Sequence, residues 1–185
     1  MPPAKIMIIR HAEKPDGGKP YGLRPSGKAD NESLTTRGWQ RAGALARFLA
    51  PADGRLAHPA LATPTAIVAS RAEPGAGASR RPKQTVKPLA ELLGLAIDLS
   101  FGKDEEPAMV ASLLAREGVV LVSWVHEGIP PLVAALPGAP PVPAAWPEDR
   151  FDVVWVLDPA PASGWTLTQV PERLLAGDRD DGIAF

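Results

Sequence analysis

The 185-residue chain contains no cysteine. That one absence excludes disulfides, thiolate metal sites and a cysteine nucleophile, and it leaves the redox compartment open. An excess of charge of one sign is also lacking. With a net charge of -1, there is no electrostatic case for a nucleic acid partner or an anionic membrane. No apolar run approaches the length of a membrane span, and the apolar stretch in MPPAKIMIIR is too short for a secretory signal. A cytoplasmic location is therefore expected. No internal repeat is present. Histidine is scarce, with three in all, at positions 11, 58 and 126.

What remains is ordinary globular sequence, 45% hydrophobic and 22% charged, long enough for one domain with its own core. KIMII (5–9) suits a strand buried on both faces. Residues 14–33, rich in Gly, Pro, Lys, Asp and Asn, read as a long loop of the kind that carries function. Residues 34–50 place Trp39, Ala42, Leu45, Ala46 and Leu49 at helical spacing, with Thr35 or Thr36 as the cap and Pro51 as the stop. AIVAS (66–70) is a second buried strand. QTVKPLAELLGL predicts a helix ending at Gly94, in which Pro88 must sit in the first turn or kink the chain. A third helix is expected over 104–117 and the strongest strand over 118–125, with a short helix opening at IPPLVAAL. FDVVWVLD (151–158) and GWTLTQV (164–170) read as a hairpin. The Pro-biased run 136–147 reads as an extended connection and the tail 171–185 as loosely ordered. This alternation predicts an α/β fold, a three-layer sandwich with a mostly parallel central sheet flanked by helices, over residues 1–185 as one domain.

Two of the histidines stand at strand ends: His11 after the first strand and His126 after the strand 118–125. In an open parallel sheet ligands bind outside the carboxyl ends of the strands, so both are expected to face one crevice. Arg10 adjoins the first, and the basic run SRRPKQT (79–85) follows the strand that ends at Ser70. Imidazoles and guanidiniums together suit a phosphoryl group. Arginine presents a planar fork of donors to phosphate oxygens. A neutral imidazole can attack phosphorus and form a covalent intermediate, and a second can stabilise charge on the equatorial oxygens. His58, in RLAHPAL, has no such company and reads as structural.

RHAE (10–13), LTTRGWQRAGALARFL (34–49), SRRPKQTVKPLAELLGL (79–95) and VLVSWVHEG (120–128) together resemble the histidine phosphatase superfamily, the phosphoglycerate-mutase-like group with an Arg-His-Gly/Ala motif. The likeness covers most of the chain in the right order and fits either the larger phosphatase branch (branch 1) or the short members.

The resemblance implies a metal-independent phosphomonoesterase without cofactor. In it His11 is the nucleophile, Arg10 and Arg81 are phosphate ligands, and His126 is hydrogen-bonded to the phosphate. The sequence departs from the family pattern by an insertion, RAEPGAGASR, between Ser70 and Arg81, which leaves Arg71 and Arg80 as alternatives to Arg81. The proton donor is expected at Glu127, by adjacency to His126, with Glu105, Glu106 and Glu13 as alternatives. Trp124 either narrows the pocket or packs behind the strand. Arg37 either anchors its helix to the site or is solvated. The expected partner is a small phosphorylated substrate selected by the loop 14–33, with a phosphohistidine protein as the other option and no nucleic acid or membrane. A phosphoglycerate-type mutase and a non-catalytic phospho-ligand binder are the alternative functions, and oligomeric state is not readable.

Overall fold

The structure, a computed structural model, describes residues 3–17, 19–72 and 79–185. Six strands form one sheet in the order β3-β2-β4-β1-β5-β6. The strands β1 (Lys5–Arg10), β2 (Ala66–Ala69), β3 (Ile97–Asp98) and β4 (Val119–Trp124) run parallel, while β5 (Val153–Pro159) lies antiparallel beside β1 and pairs with β6 (Trp165–Pro171) as a hairpin. The sheet is mostly parallel and mixed α/β, as expected. β3 was not foreseen. It has two residues, too few to show a pattern, and is defined by pairing with Ile67 and Val68.

The alternation of β1 shows how the layers arise. Successive strand side chains point to opposite faces. Ile6 and Ile8 join a core formed with the helices α3 (Glu106–Leu114) and α4 (Ile129–Ala134). Met7 and Ile9 join the opposite core, under α1 (Thr36–Leu49) and α2 (Arg81–Leu93). All four are essentially inaccessible to water, which explains an unbroken apolar run where a one-sided sheet would alternate.

The helix boundaries follow local chemistry. The Thr35 hydroxyl caps α1 by accepting from the Gly38 N–H at 3.2 Å, and Gly94, at φ 66°, ends α2 in the left-handed conformation. Pro88 sits neither in the first turn nor at an end but inside α2, where the helix forgoes one backbone hydrogen bond. α3 is shorter than the predicted 104–117.

The segment after β6 is not loosely ordered, contrary to the sequence-based expectation. Ile183 is buried, and its backbone N–H and C=O are both bonded to the Gln169 side chain, at 2.7 and 2.8 Å. Arg150 donates to the carbonyls of Asp181 and Gly182 at 2.7 and 3.2 Å. Its polar residues have specific partners far away in the chain, which composition does not reveal. Among the described residues no helix is long and apolar enough to cross a membrane. The insertion between Ser70 and Arg81 lies outside the described residues at 73–78.

Candidate active site

Because β1, β2 and β4 are parallel, their carboxyl ends share one edge of the sheet. His11 follows β1 and donates its backbone N–H to the Trp124 carbonyl at 3.0 Å, so the two histidine-bearing strand ends are tied together. His126 opens a single 3-10 turn, His126–Gly128, directly before α4. Gly128 is required there by close approach: a Cβ would stand 2.5 Å from Glu106 Oε1 and 2.6 Å from Trp124 Nε1.

His11 is 3% exposed. Its Nδ1 lies 2.8 Å from the Ala12 carbonyl oxygen. A carbonyl only accepts, so Nδ1 carries the hydrogen, and in the neutral ring the lone pair is on Nε2. Burial pushes the imidazole pKa well below its ordinary value, and the positive charges of Arg10, Arg81 and His126 push it the same way against the Ala12 hydrogen bond. The neutral, nucleophilic form is the one this setting favours.

Arg10 is 1% exposed, and only one of its nitrogens is occupied. Nη1 donates to the carbonyls of Pro147, Glu148 and Arg150 at 3.0, 2.6 and 3.1 Å, and the guanidinium stacks 3.9 Å over the Phe151 ring. Nε and Nη2 are buried without a hydrogen-bond partner. Burial brings its pKa down to about 10, so the group stays charged at neutral pH. Buried donors are nearly always paired. One edge of Arg10 is fastened to the protein, and the other holds two N–H groups ready for an oxyanion.

Arg81 begins α2. It donates to Ser79 Oγ and the Asn31 carbonyl at 3.1 and 2.8 Å and pairs with Glu32 at 3.3 Å, while its Nε is buried and unpaired. The two alternatives are committed elsewhere. Arg71 bonds the Ser100 carbonyl and Glu105 at 2.5 and 2.9 Å, and Arg80 is half exposed against Asp30.

Burial also lowers the His126 pKa, aided by Arg10 and Lys14 and opposed by Glu127 and Glu148. Its Nδ1 lies 3.5 Å from Glu127 Oε2, on a carboxylate that is itself 56% exposed. The other acids are placed differently. Glu13 is bound at both oxygens by Arg41 and contacted by Arg37. Glu105 pairs with Arg71 and accepts from the Gly102 N–H. Glu106, buried, accepts from Trp124 Nε1 at 3.0 Å. Trp124 is fully buried and packs behind the strand end. Arg37 anchors α1, reaching Glu13, Asp178 and the Ala176 carbonyl. His58 Nδ1 accepts from the Ala60 N–H, a local structural role.

Two clefts flank this centre. One, of about 380 Å³, is lined by His126, Glu127, Trp146 and Glu148 among others. The second, of about 580 Å³, is lined by Lys14, Arg37, Phe151 and Asp178 among others. They share Glu148, and Phe151, in the second, also faces the His11 ring at 6.3 Å. Sequence reasoning missed Phe151 and Glu148 entirely. Neither is near His11 in the chain, and an aromatic after a Pro-rich connection carries no distinctive signal.

The chain is similar to a solved structure. A protein proposed to be the phosphohistidine phosphatase SixA from Agrobacterium tumefaciens matches it with a TM-score of 0.44 and 22% sequence identity, over 89% of this chain and 95% of that one. No protein-family model matches the sequence. No curated protein matches it either.

Proposed function

We propose that the protein is a metal-independent phosphomonoesterase of the histidine phosphatase type, acting on a small phosphorylated substrate. One observation carries this reading: the imidazole of His11 is held neutral with Nε2 unengaged, beside Arg10, with Nε and Nη2 buried and unpaired, and Arg81, with Nε buried and unpaired. Such a surround suits an anion and repels a metal cation. Clefts of a few hundred cubic ångströms suit a small-molecule leaving group.

In this mechanism the phosphate oxygens bond the free edge of Arg10 and the Nε of Arg81. The Nε2 lone pair of His11 forms a bond to phosphorus as the ester P–O bond breaks. Glu127 gives the departing oxygen its proton, and His126 donates to an equatorial oxygen, where charge on the transferring group is balanced by fixed donors. In the second half Glu127 takes a proton from water, the water oxygen bonds phosphorus, and the P–Nε2 bond breaks. Inorganic phosphate and neutral His11 are regenerated.

The test is hydrolysis of p-nitrophenyl phosphate in the presence of a chelator, wild type beside His11→Ala. Turnover lost in the variant is the expected result. Wild-type activity abolished by chelator, or undiminished in His11→Ala, would overturn the proposal.

A further inference from the structure

Arg41, on the inner face of α1, is 2% exposed, a setting in which a guanidinium survives only if fully paired. Its partners come from two distant parts of the chain. From the loop after β1 comes Glu13, with Oε1 2.9 Å from Nη2 and both oxygens within 3.2 Å of Nε. From the C-terminal segment come Glu172, 2.8 Å from Nη1, and Asp178, at 3.0 Å from Nη1 and 2.7 Å from Nη2. Asp178 is itself fixed by the backbone N–H groups of Leu174 and Leu175, at 2.8 and 2.9 Å. Burial raises the Glu172 carboxyl to about 8. Three carboxyl groups, those of Glu13, Glu172 and Asp178, thus converge on Arg41, and Arg37 reaches Glu13 and Asp178 from the exposed side.

Glu13 is two residues from His11, and α1 grips its backbone too. The Glu13 carbonyl accepts from the Thr35 N–H at 3.0 Å. Gly38 packs so close that a Cβ there would meet that carbonyl oxygen at 2.6 Å. The chain from Glu13 back through Ala12, whose carbonyl fixes the His11 tautomer, thus has its far end pinned to the C-terminal segment through one side chain.

Building on the phosphatase reading, we infer that Arg41 is a positioning residue: it couples the C-terminal segment to the His11 loop and so holds the imidazole with Nδ1–H on Ala12 and Nε2 free. It touches neither His11 nor the phosphate ligands. Its effect is on geometry, where a displacement of about 1 Å costs on the order of a hundredfold in rate.

The experiment compares Arg41→Lys and Asp178→Asn with Leu113→Ala, a core truncation in α3 on the other face of the sheet. Its primary readout does not depend on turnover: solvent exchange of the His11 Nδ1 proton, followed by nitrogen-15 NMR with the resonance assigned from His11→Gln. Both clamp variants are expected to exchange this proton about tenfold or more faster than wild type, because the loop opens locally, while Leu113→Ala leaves it unchanged at matched stability. With p-nitrophenyl phosphate, kcat is expected to fall about tenfold in Asp178→Asn with KM little altered. Wild-type exchange in both clamp variants, or equal acceleration in Leu113→Ala, would overturn the inference. Absence of wild-type turnover would instead shift weight from the phosphatase reading to a phospho-ligand binder and leave the exchange result to decide the role of Arg41.

Discussion

The Thr85 hydroxyl lies 2.8 Å from the backbone nitrogen of Ala12 and 2.8 Å from the carbonyl of Arg81. One oxygen thus accepts from the residue after His11 and donates to the residue that begins α2. The spacing Arg81-x-x-x-Thr85 is one helical turn, so the hydroxyl returns to the carbonyl one turn back, next after the Arg80 carbonyl that accepts the opening α2 bond from the Gln84 N–H. In doing so it sets Arg81 and the His11 loop in one frame.

Thr85→Val tests this frame. Valine has nearly the same shape but leaves the buried Ala12 N–H without an acceptor, which costs about 1–3 kcal/mol. Chemical denaturation is expected to show a loss in that range, with kcat reduced by more than Thr85→Ser reduces it. Equal activity in the valine and serine variants would show that the hydroxyl does not position His11.

Arg10→Lys separates charge from geometry. An ammonium cannot bond three carbonyls with one nitrogen and present two further N–H groups to phosphate. We expect kcat/KM to fall about 10²–10³-fold, as when a single oxyanion donor is removed, and inhibition by inorganic phosphate to weaken in parallel. Retention of phosphate inhibition with full activity would mean that the free edge of Arg10 is not the anion site.

The depressed pKa of His11 fixes the acid side of the pH profile. Attack requires neutral imidazole, and burial with three positive neighbours places its protonation well below the ordinary 6.5. The acid limb of kcat/KM, which reports the free enzyme, is therefore expected below that value, measured from about pH 4 to about pH 8. Stability carries the same sign. As pH falls below 6.5 the unfolded histidine binds a proton that the folded one refuses, so folding stability declines through that window until the folded pKa is reached. In His11→Gln this decline should shrink. An acid limb centred at or above 6.5 would contradict the assignment of His11 as a buried neutral base.

The strand ends were legible because chemistry-bearing residues stood directly after apolar runs: Arg10 and His11 after KIMII, His126 after VVLVSW. The α1 cap at Thr35 and the α2 stop at Gly94 were legible from local backbone chemistry alone. What could not be read depends on distant pairing. Arg41 carries no distinctive signal in the sequence, yet its partners lie 28, 131 and 137 residues away and make burial tolerable. The tail GDRDDG reads as loosely ordered for the same reason, although Asp178 and the carbonyls of Asp181 and Gly182 each have a specific donor.

The acid that protonates the leaving group is tested by changing the leaving group. Glu127 lies 3.5 Å from His126 and opens onto a cleft, whereas Glu106 is occupied by the Trp124 indole. If Glu127 supplies the proton, Glu127→Gln slows hydrolysis of an aliphatic phosphate, whose alkoxide needs protonation, by about 10²–10⁴-fold. p-Nitrophenolate leaves readily without help, so its ester should lose far less. Glu106→Gln still offers an amide oxygen to the indole and is expected to change both substrates equally and little. The deciding quantity is the ratio of the two rates in each variant. A ratio that collapses in Glu106→Gln and holds in Glu127→Gln would move the acid to the start of α3 and leave Glu127 as a charged neighbour of His126.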